Sequence, residues 1–207
     1  NIKYKAINSC IAFVPSLEGK QLILVEDLIF KNELHPVQKA MVNYHGSQCG
    51  FCTPGFVMSL FAMYKNYSSF KEEIIRDSIQ GNLCRCTGYR PIVAAAKSLN
   101  KNNKRDSFSR DKKITLNLLK KINKRSIAIV HNNKKYFAPK SINELSKILR
   151  TEPNSKLISG GTDLSLIVTK ERKDLNSLVY LNSIDELNYI KENNKYIEVG
   201  AATPLIK

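Results

Sequence analysis

The hydrophobic positions of residues 35–100 recur at helical spacing and predict four short helices. Phe56, Leu60 and Tyr64 lie four positions apart, which places them on one face of the second helix and predicts that this face is core. Pro36 opens the first helix, because proline fits a first turn, where its missing amide hydrogen is not needed. We therefore expect this part of the chain to form a small helical bundle.

From residue 136 onward the pattern changes to short apolar runs that alternate with helix-like segments. Three of these runs predict strands: residues 156–159, 178–181 and 196–202. Ser141 is followed three residues later by Glu144, which is the spacing of a capping box and predicts a helix start. Ser183 and Glu186 repeat that spacing and predict a second helix start. Such alternation is typical of an α/β or α+β domain.

The two remaining stretches are less regular. Residues 1–30 have a mixed apolar pattern, in which residues 21–28 predict a short strand after a turn at Gly19. Residues 101–135 are interpreted as a linker, of which residues 101–107 are polar and are predicted to be exposed. Four apolar residues of the linker could line one face of a short helix: Ile114, Leu118, Leu119 and Ile122.

Composition narrows the class of protein. The chain has 207 residues, 43% of them hydrophobic, which suffices for a buried core. No apolar run reaches membrane-spanning length and no signal-peptide pattern stands at the start, so we expect a cytoplasmic protein without a membrane partner. A formal net charge of +15 raises nucleic acid as a partner. Because the basic residues are spread along most of the chain, we interpret the charge as solvated surface and expect no nucleic-acid partner.

Four of the five cysteines form two short motifs. Cys49 and Cys52 make a C-x-x-C motif, and Cys84 and Cys86 make a C-x-C motif. Four thiolates suit one [2Fe-2S] cluster, in which each iron needs two of them. A structural zinc ion is the alternative, whereas two disulfides are disfavoured because nothing here resembles a secreted, disulfide-dense domain. The spacing favours iron–sulfur over zinc and leaves both open.

The residues around these motifs carry a family resemblance. Residues 46–59 and 81–92 closely resemble the second [2Fe-2S] domain of the molybdenum hydroxylases, the family that includes xanthine dehydrogenases, aldehyde oxidases and carbon monoxide dehydrogenases. The resemblance implies that four thiolates ligate the cluster nearest the molybdenum cofactor: Cys49, Cys52, Cys84 and Cys86. By its place in the same string, Gln48 would face the pterin.

The fifth cysteine, Cys10, stands alone, and a lone cysteine is usually a small buried hydrophobic residue. In the family, however, a plant-type ferredoxin domain precedes the helical one, and its fourth ligand lies in a string similar to residues 6–10. The resemblance therefore implies that Cys10 is the last ligand of a first [2Fe-2S] cluster. The other three ligands would lie before Asn1.

A second resemblance concerns the glycine turn after the strand at residues 156–159. Backbone amides at a strand, Gly-Gly turn and helix start can face a phosphate, although a plain tight turn is the simpler interpretation of two glycines. The string is similar to the family's FAD pyrophosphate-binding loop. That similarity implies that eight residues bind FAD: Leu157, Ile158, Ser159, Gly160, Gly161, Thr162, Asp163 and Leu164.

These features together predict an α+β fold in four segments. Residues 1–30 are expected to be the tail of a ferredoxin-like β-grasp domain, and residues 31–100 a four-helix [2Fe-2S]-binding domain. Residues 101–135 are the linker. Residues 136–207 are expected to be the first part of an α/β FAD-binding domain of the PCMH type.

The resemblance also implies a function, because the chain is similar to the iron–sulfur and flavin subunit of bacterial xanthine dehydrogenase. Such a subunit accepts electrons from a molybdopterin-binding large subunit and passes them through [2Fe-2S] clusters to FAD. NAD is then the acceptor, while hypoxanthine and xanthine are oxidised to urate. Two alternatives stay open: the same relay in an aldehyde or other N-heterocycle hydroxylase, and a zinc-stapled nucleic-acid-binding module.

Overall fold

The chain divides into two groups of contacts. The computed structural model describes residues 2–99, 106–122 and 125–204. The first group, here named the helical unit, consists of two pieces of chain: Asn1–Ile7 and Gln21–Ile122. The second group, here named the sheet unit, also consists of two pieces: Asn8–Lys20 and Asn123–Lys207. The segment Asn8–Lys20 therefore belongs to the sheet unit, although its sequence neighbours on both sides belong to the helical unit.

The helical unit is built on the four predicted helices, which the structure confirms: α1 (Pro36–Asn43), α2 (Thr53–Asn66), α3 (Glu72–Ile79) and α4 (Arg90–Ser98). Phe56 and Leu60 of α2 are fully buried, and they meet Ile75 of α3 and Ile92 of α4 in one hydrophobic core. Burying each of these side chains stabilises the unit by roughly 1.5–3 kcal/mol. The predicted core face of α2 is confirmed.

A buried histidine begins α1. Nδ1 of His35 accepts a hydrogen bond from the backbone N–H of Val37 at 3.2 Å, and Oε1 of Gln38 accepts one from the N–H of His35 at 2.9 Å. This is a capping box with histidine in place of serine or threonine, which the usual sequence signature does not include. The cap fixes the histidine ring and points Nε2 away from the helix, 2.9 Å from Oδ2 of Asp106.

Asp106 attaches the linker to the helical unit, so the prediction of an exposed residue is wrong here. Its side chain is 3% exposed, and its Oδ1 accepts a hydrogen bond from Nζ of Lys65 at 2.8 Å. Asp106 also begins α5 (Ser107–Arg110), where Oδ1 accepts from the N–H of Ser109 at 2.6 Å. A carboxylate can be buried when it is paired and hydrogen-bonded in this way. Residues 101–105 of the predicted linker lie outside the described residues.

The hydrogen bonds around Asp106 offset the effect of burial on its pKa. Burial raises the pKa of Asp106, but hydrogen bonds from His35, Lys65 and Ser109 outweigh it and hold this pKa well below its usual range. The carboxylate is therefore ionised in the folded protein at neutral pH.

The helix expected in the linker is confirmed as α6 (Lys112–Lys121). Its apolar residues are not buried: Ile114 is 62% exposed and Leu118 is 59% exposed. Among the helices that the structure describes, none combines the length and the apolar character needed to cross a membrane.

The sheet unit contains a four-stranded sheet in the order β1-β2-β4-β3. Its strands are short: β1 (Ile127–His131), β2 (Lys134–Ala138), β3 (Lys156–Ile158) and β4 (Ser177–Tyr180). β1 and β2 form an antiparallel hairpin, whose turn residues Asn132 and Asn133 have the positive φ angles that a two-residue hairpin loop requires. β2 and β3 both run parallel to β4.

Two helices make the parallel crossovers. α7 (Ile142–Thr151) connects β2 to β3, and α8 (Leu164–Thr169) connects β3 to β4. The hydroxyl of Ser141 accepts a hydrogen bond from the N–H of Glu144 at 3.2 Å, so the first predicted helix start is confirmed. Because the three strands are parallel, their carboxyl ends meet at one edge of the sheet.

Residues 21–28 are not a strand, and this prediction is wrong. Residues 21–24 have no regular structure and Glu26–Leu28 form a 3-10 turn. The N–H of Leu24 donates to Oδ2 of Asp27 at 2.8 Å, and the carbonyl of Val25 accepts from Gln38. A strand needs a neighbour for its backbone groups, and here side chains take that place.

The second predicted capping box is also wrong. The hydroxyl of Ser183 donates to the carbonyl of Pro139 at 2.6 Å, and Oε2 of Glu186 accepts from the N–H of Ile142 at 2.9 Å. Both side chains thus support the start of α7, and their own segment forms only 3-10 turns. The last predicted strand is shorter than expected and is β6 (Ile197–Val199), paired antiparallel with β5 (Ile190–Glu192). The mixture of helices and sheets confirms the α+β class.

Candidate metal centre and flavin loop

The first ligand loop, residues 46–52, joins α1 to α2. The N–H of Gly46 donates to the carbonyl of Met41 at 2.8 Å, and a Cβ at position 46 would lie 2.8 Å from Sδ of Met41. A side chain at position 46 would therefore have to displace the side chain of Met41. Gly50 has φ of 85° and its carbonyl accepts from the N–H of Thr53 at 3.2 Å. This turn puts the thiols of the C-x-x-C motif on one loop beside the start of α2.

The second ligand loop, residues 81–89, joins α3 to α4 and is attached to α2. Nδ2 of Asn82 donates to Oγ of Ser59 at 2.8 Å. A Cβ at Gly55 would lie 2.7 Å from Oδ1 of Asn82, so the absence of a side chain on α2 lets the loop approach closely. The position of the second loop is therefore set by the same helix that begins after the first loop.

Tyr89 closes the second ligand loop around Cys84. Its φ of 68° is unusual for a residue with a side chain, and its hydroxyl accepts a hydrogen bond from the N–H of Cys84 at 3.0 Å. The N–H of Tyr89 donates to Oγ1 of Thr87 at 3.2 Å, and Oγ1 of Thr87 lies 3.1 Å from Sγ of Cys84. The ring of Tyr89 meets Phe56 edge to face, which connects this network to the core.

The structure brings the four predicted thiols together in pairs, and each pair takes one thiol from each loop. Sγ of Cys86 lies 3.5 Å from Sγ of Cys49. The side chains of Cys52 and Cys84 are also neighbours, and each thiol influences the pKa of the other. Within the part of the chain that the structure describes, no three His, Cys, Asp or Glu side chains are grouped as for a single metal ion. Cys10 is exposed and belongs to the sheet unit.

In each pair, one thiol is easier to deprotonate than the other. Hydrogen bonds from Thr87 lower the pKa of Cys84 to about 7, whereas burial raises the pKa of its neighbour Cys52. The N–H of Phe51 lowers the pKa of Cys49, and the pKa of Cys86 is raised because its thiol donates to Cys49. Since thiolates are the metal ligands, both loops already favour the ligating form of one cysteine.

This donor set fits a binuclear cluster, because two thiol pairs can serve two irons that share bridging sulfides. The pair of Cys49 and Cys86 is exposed, whereas Cys84 is buried. Gln48, the predicted neighbour of the pterin, is exposed on the same loop as Cys49. Two apolar side chains in the ligand loops also project into solvent: Phe51 is 95% exposed and Leu83 is 83% exposed.

The flavin loop, residues 159–164, lies at the carboxyl end of β3. Oγ of Ser159 donates to Oδ1 of Asn182, which follows β4, at 2.6 Å. Gly161 has φ of 77°, and a Cβ there would lie 2.9 Å from Cδ1 of Ile158. A Cβ at Gly160 would meet no atom within 4 Å, so the backbone is open at that point. An open glycine backbone at the carboxyl edge of parallel strands fits a phosphate-containing ligand.

The other predicted members of this site divide by burial. Ile158 is buried under the loop, whereas Leu157, Thr162 and Asp163 are exposed; Leu164 is half-buried at the start of α8. Sequence reading missed Asn182 and the supporting residues Thr87 and Tyr89. The Thr-Gly-Tyr string after the C-x-C motif was visible, but its hydrogen bonds depend on a left-handed Tyr89 that no local pattern announces.

Two family models match the chain, one in each part. Residues 24–97 match the [2Fe-2S] binding domain, and residues 130–207 match the FAD binding domain in molybdopterin dehydrogenase. The chain therefore carries an iron–sulfur domain and an FAD-binding domain of the kinds that these two models describe.

Over most of its length, the chain is similar to xanthine dehydrogenases. It is 29% identical to xanthine dehydrogenase of Emericella nidulans over 242 residues, which cover 96% of this chain and 18% of that protein. Over 96 residues it is 53% identical to xanthine dehydrogenase of Blastobotrys adeninivorans, covering 46% of this chain and 7% of that protein. The structure of quinoline 2-oxidoreductase from Pseudomonas putida 86 matches 36% of this chain and 46% of that chain, with 33% identity and a TM-score of 0.35. The chain spans less than a fifth of the length of the curated relatives it matches.

Proposed function

We propose that the chain is the electron-transfer part of a xanthine dehydrogenase. The observation that carries the proposal is the meeting of four thiols from two loops in two pairs, Cys49 with Cys86 and Cys52 with Cys84. A [2Fe-2S] cluster bound there would supply a one-electron carrier. In this assignment the chain is an oxidoreductase component without a catalytic side chain of its own, and its residues set the positions and potentials of the carriers.

The chain's own residues have separate tasks at this centre. The four thiolates would bind the irons, and Thr87 and Tyr89 hold the Cys84 end of the site through their hydrogen bonds. The exposed edge formed by Cys49 and Cys86 is where electrons would enter. A molybdopterin-binding subunit or domain is the donor we propose for that edge, with Gln48 facing the pterin.

FAD bound at the flavin loop would be the next electron carrier. We propose that its backbone, from Ser159 to Leu164 after Leu157 and Ile158 of β3, holds the pyrophosphate of FAD. Gly161 supports this role because the turn needs its positive φ, and Gly160 supports it because the backbone is open there. In the proposed sequence NAD accepts the electrons from FAD, and hypoxanthine and xanthine are the compounds oxidised on the molybdenum subunit, in the cytoplasm. Cys10 would contribute the last ligand of another [2Fe-2S] cluster.

The proposed domain limits follow the same assignment. The [2Fe-2S]-binding domain would span residues 31–100 and the FAD-binding domain would begin near residue 136. The matching family models begin seven and six residues before these limits, at residues 24 and 130, and the sheet already starts with β1 at Ile127–His131.

A reductive titration tests the electron-transfer role. The anaerobically purified chain, reconstituted with iron, sulfide and FAD, is titrated with dithionite and followed by visible absorbance. We expect uptake of about three electrons, one for the cluster and two for the flavin. The Cys49→Ser variant, which lacks one thiolate, should take up about two. A chain with flavin absorbance but no iron–sulfur absorbance would refute the relay, as would equal uptake by the variant.

A further inference from the structure

The turn that carries Cys10 is fastened to the helix that follows the flavin loop. This turn, Ser9–Ile11, here named the Cys10 turn, is a single 3-10 turn that lies against α8 within the sheet unit. Oγ of Ser165, in the first turn of α8, lies 2.6 Å from the carbonyl oxygen of Ile11. The same Oγ lies 2.6 Å from the carbonyl oxygen of Gly161 in the flavin loop. One side chain therefore touches both segments.

Ser165 is well placed to connect them rather than only to fill space. Its side chain belongs to the few buried polar residues of the described chain, at 3% exposure. Its hydroxyl has one proton for two carbonyl acceptors, while its backbone N–H also donates to Gly161 at 2.9 Å. A shift of the flavin loop thus changes how that proton is shared with Ile11. Because the hydroxyl is shielded from water, the loss of either hydrogen bond is not replaced by solvent.

Further contacts keep the segment around the Cys10 turn on the sheet unit. Phe13 packs against the core cluster that contains Tyr136, and Nζ of Lys20 lies 5.8 Å from the centre of the Tyr180 ring. The turn is short, and it is closed by two weak backbone hydrogen bonds of 3.3 Å, from Ile11 to Asn8 and from Ala12 to Ser9. The bond from Ser165 to Ile11, at 2.6 Å, is shorter than either of them and joins the turn directly to α8.

We propose that Ser165 is a positioning residue that couples the flavin loop to the Cys10 turn. When FAD orders the loop, the carbonyl of Gly161 is fixed, and through Ser165 the Cys10 turn becomes more rigid as well. This inference rests on the proposed binding of FAD by the loop. It does not depend on which compound is oxidised.

Hydrogen exchange measures this coupling in the chain itself. The amides of Ile11 and Ala12 are the probes, because their exchange requires the Cys10 turn to open. Saturating FAD should slow their exchange by about fivefold or more in the wild-type chain, the lower end of typical coupling between two sites. In Ser165→Ala, which keeps the backbone hydrogen bond to Gly161, FAD should still bind, and its effect on these amides should fall to less than about twofold.

Thr169→Val is the matched control. Thr169 lies on the same helix, and its hydroxyl donates only within that helix, to the carbonyl of Ser165 at 3.0 Å. This variant should keep the full FAD-dependent protection of Ile11 and Ala12. Equal loss of protection in both variants would mean that any weakening of α8 suffices, and would contradict a special role for Ser165.

The outcomes separate the two proposals. If FAD binds the wild-type chain but leaves exchange of the Cys10 turn unchanged, the coupling is refuted and the flavin assignment stands. If Ser165→Ala keeps the wild-type protection, the coupling does not pass through Ser165. If the wild-type chain does not bind FAD at all, the flavin assignment fails and the coupling fails with it.

Discussion

The two units of this protein build their sites in different ways. In the helical unit, four side-chain thiols are held by loops that lead into well-packed helices, and Phe56 and Ile92 behind them are fully buried. In the sheet unit, the flavin loop offers backbone and two glycines at a strand edge, and the core beneath it is small, with Tyr136, Ala138, Ile158 and Leu178 as its buried members.

The difference teaches where each site is vulnerable. A site made of side chains is lost when a ligand or a buried supporting residue is removed. No other residue replaces the ligand, and a change in the core shifts the loops that hold the ligands. A site of backbone tolerates most side-chain changes and fails when a dihedral angle or a close approach is lost. Substitutions at four positions sharpen this contrast, in descending order of expected effect.

Replacing Cys84 with Ser should have the largest effect. The buried member of a thiol pair is lost, so we expect the iron content to fall from about two per chain to near zero. The melting temperature of the helical unit should fall as well, because metal binding contributes to folding. Iron analysis and thermal denaturation measure both. Cys10→Ser is the control and should leave both values unchanged; full iron content in Cys84→Ser would show that this cysteine is not a ligand.

Asp106→Ala should have the next largest effect, on stability alone. It leaves Lys65 buried without its carboxylate, and breaking a buried pair costs about 3–5 kcal/mol. Urea denaturation measures the free energy of unfolding. Asp111→Asn is the matched control, because its pair with Arg110 is exposed and should matter by less than about 1 kcal/mol. Equal losses in the two variants would contradict the buried network.

The same carboxylate sets a pH dependence. The pKa of Asp106 is lower in the folded state than its usual value, so the unfolded state binds the proton more readily. The stabilisation is therefore complete above the unfolded pKa, about 3.9, and is lost as the pH falls towards the folded pKa. The denaturation curves of wild type and Asp106→Asn should differ at pH 6 and converge as the pH falls. A constant difference would contradict the assignment.

Gly161→Ala tests the backbone site. The substitution forces a side chain into a left-handed conformation and brings its Cβ to 2.9 Å from Ile158, which we expect to cost about 1–3 kcal/mol. FAD affinity, measured by fluorescence quenching, should fall about tenfold or more, since 1.4 kcal/mol corresponds to a factor of ten. Gly160→Ala is the steric control: its Cβ meets no protein atom within 4 Å, so folding should be unchanged. Unchanged folding and affinity in Gly161→Ala would contradict the strained turn.

Thr87→Val should have the smallest effect, because it leaves all four ligands in place. It removes the hydroxyl that lies 3.1 Å from Sγ of Cys84, and hydrogen bonds to cluster sulfurs influence the reduction potential. We expect a lower midpoint potential at unchanged iron content, measured by redox titration with electron paramagnetic resonance. Thr53→Val removes a hydroxyl that bonds Ser47 instead of a sulfur and should leave the potential unchanged. Equal potentials in wild type and Thr87→Val would refute the role of Thr87.

Local sequence patterns predicted the parts of the molecule that depend on near neighbours in the sequence. The helical spacing of Phe56, Leu60 and Tyr64, the capping serine at position 141 and the two cysteine motifs were all readable in this way. The predicted strand at residues 21–28 failed for the complementary reason. An apolar run becomes a strand only when another strand pairs with it, and the described chain supplies side chains at that place instead.

Long-range partners could not be read from the sequence. His35 and Asp106 are 71 residues apart, and Lys65 and Asp106 are 41 residues apart. No local pattern in the linker therefore predicts that Asp106 is buried. The pairing of one thiol from each loop is of the same kind. It depends on how α2 positions both loops, through Asn82 and the space left by Gly55, and not on the spacing within either motif.

The most direct test of the account is the metal content of the anaerobically purified chain, together with an electron paramagnetic resonance spectrum after reduction. If the paired thiols bind one binuclear cluster, the chain holds about two irons and two acid-labile sulfides and gives the signal of a reduced [2Fe-2S] centre. One zinc ion per chain, without iron and without that signal, would contradict the account and return the four cysteines to a structural site.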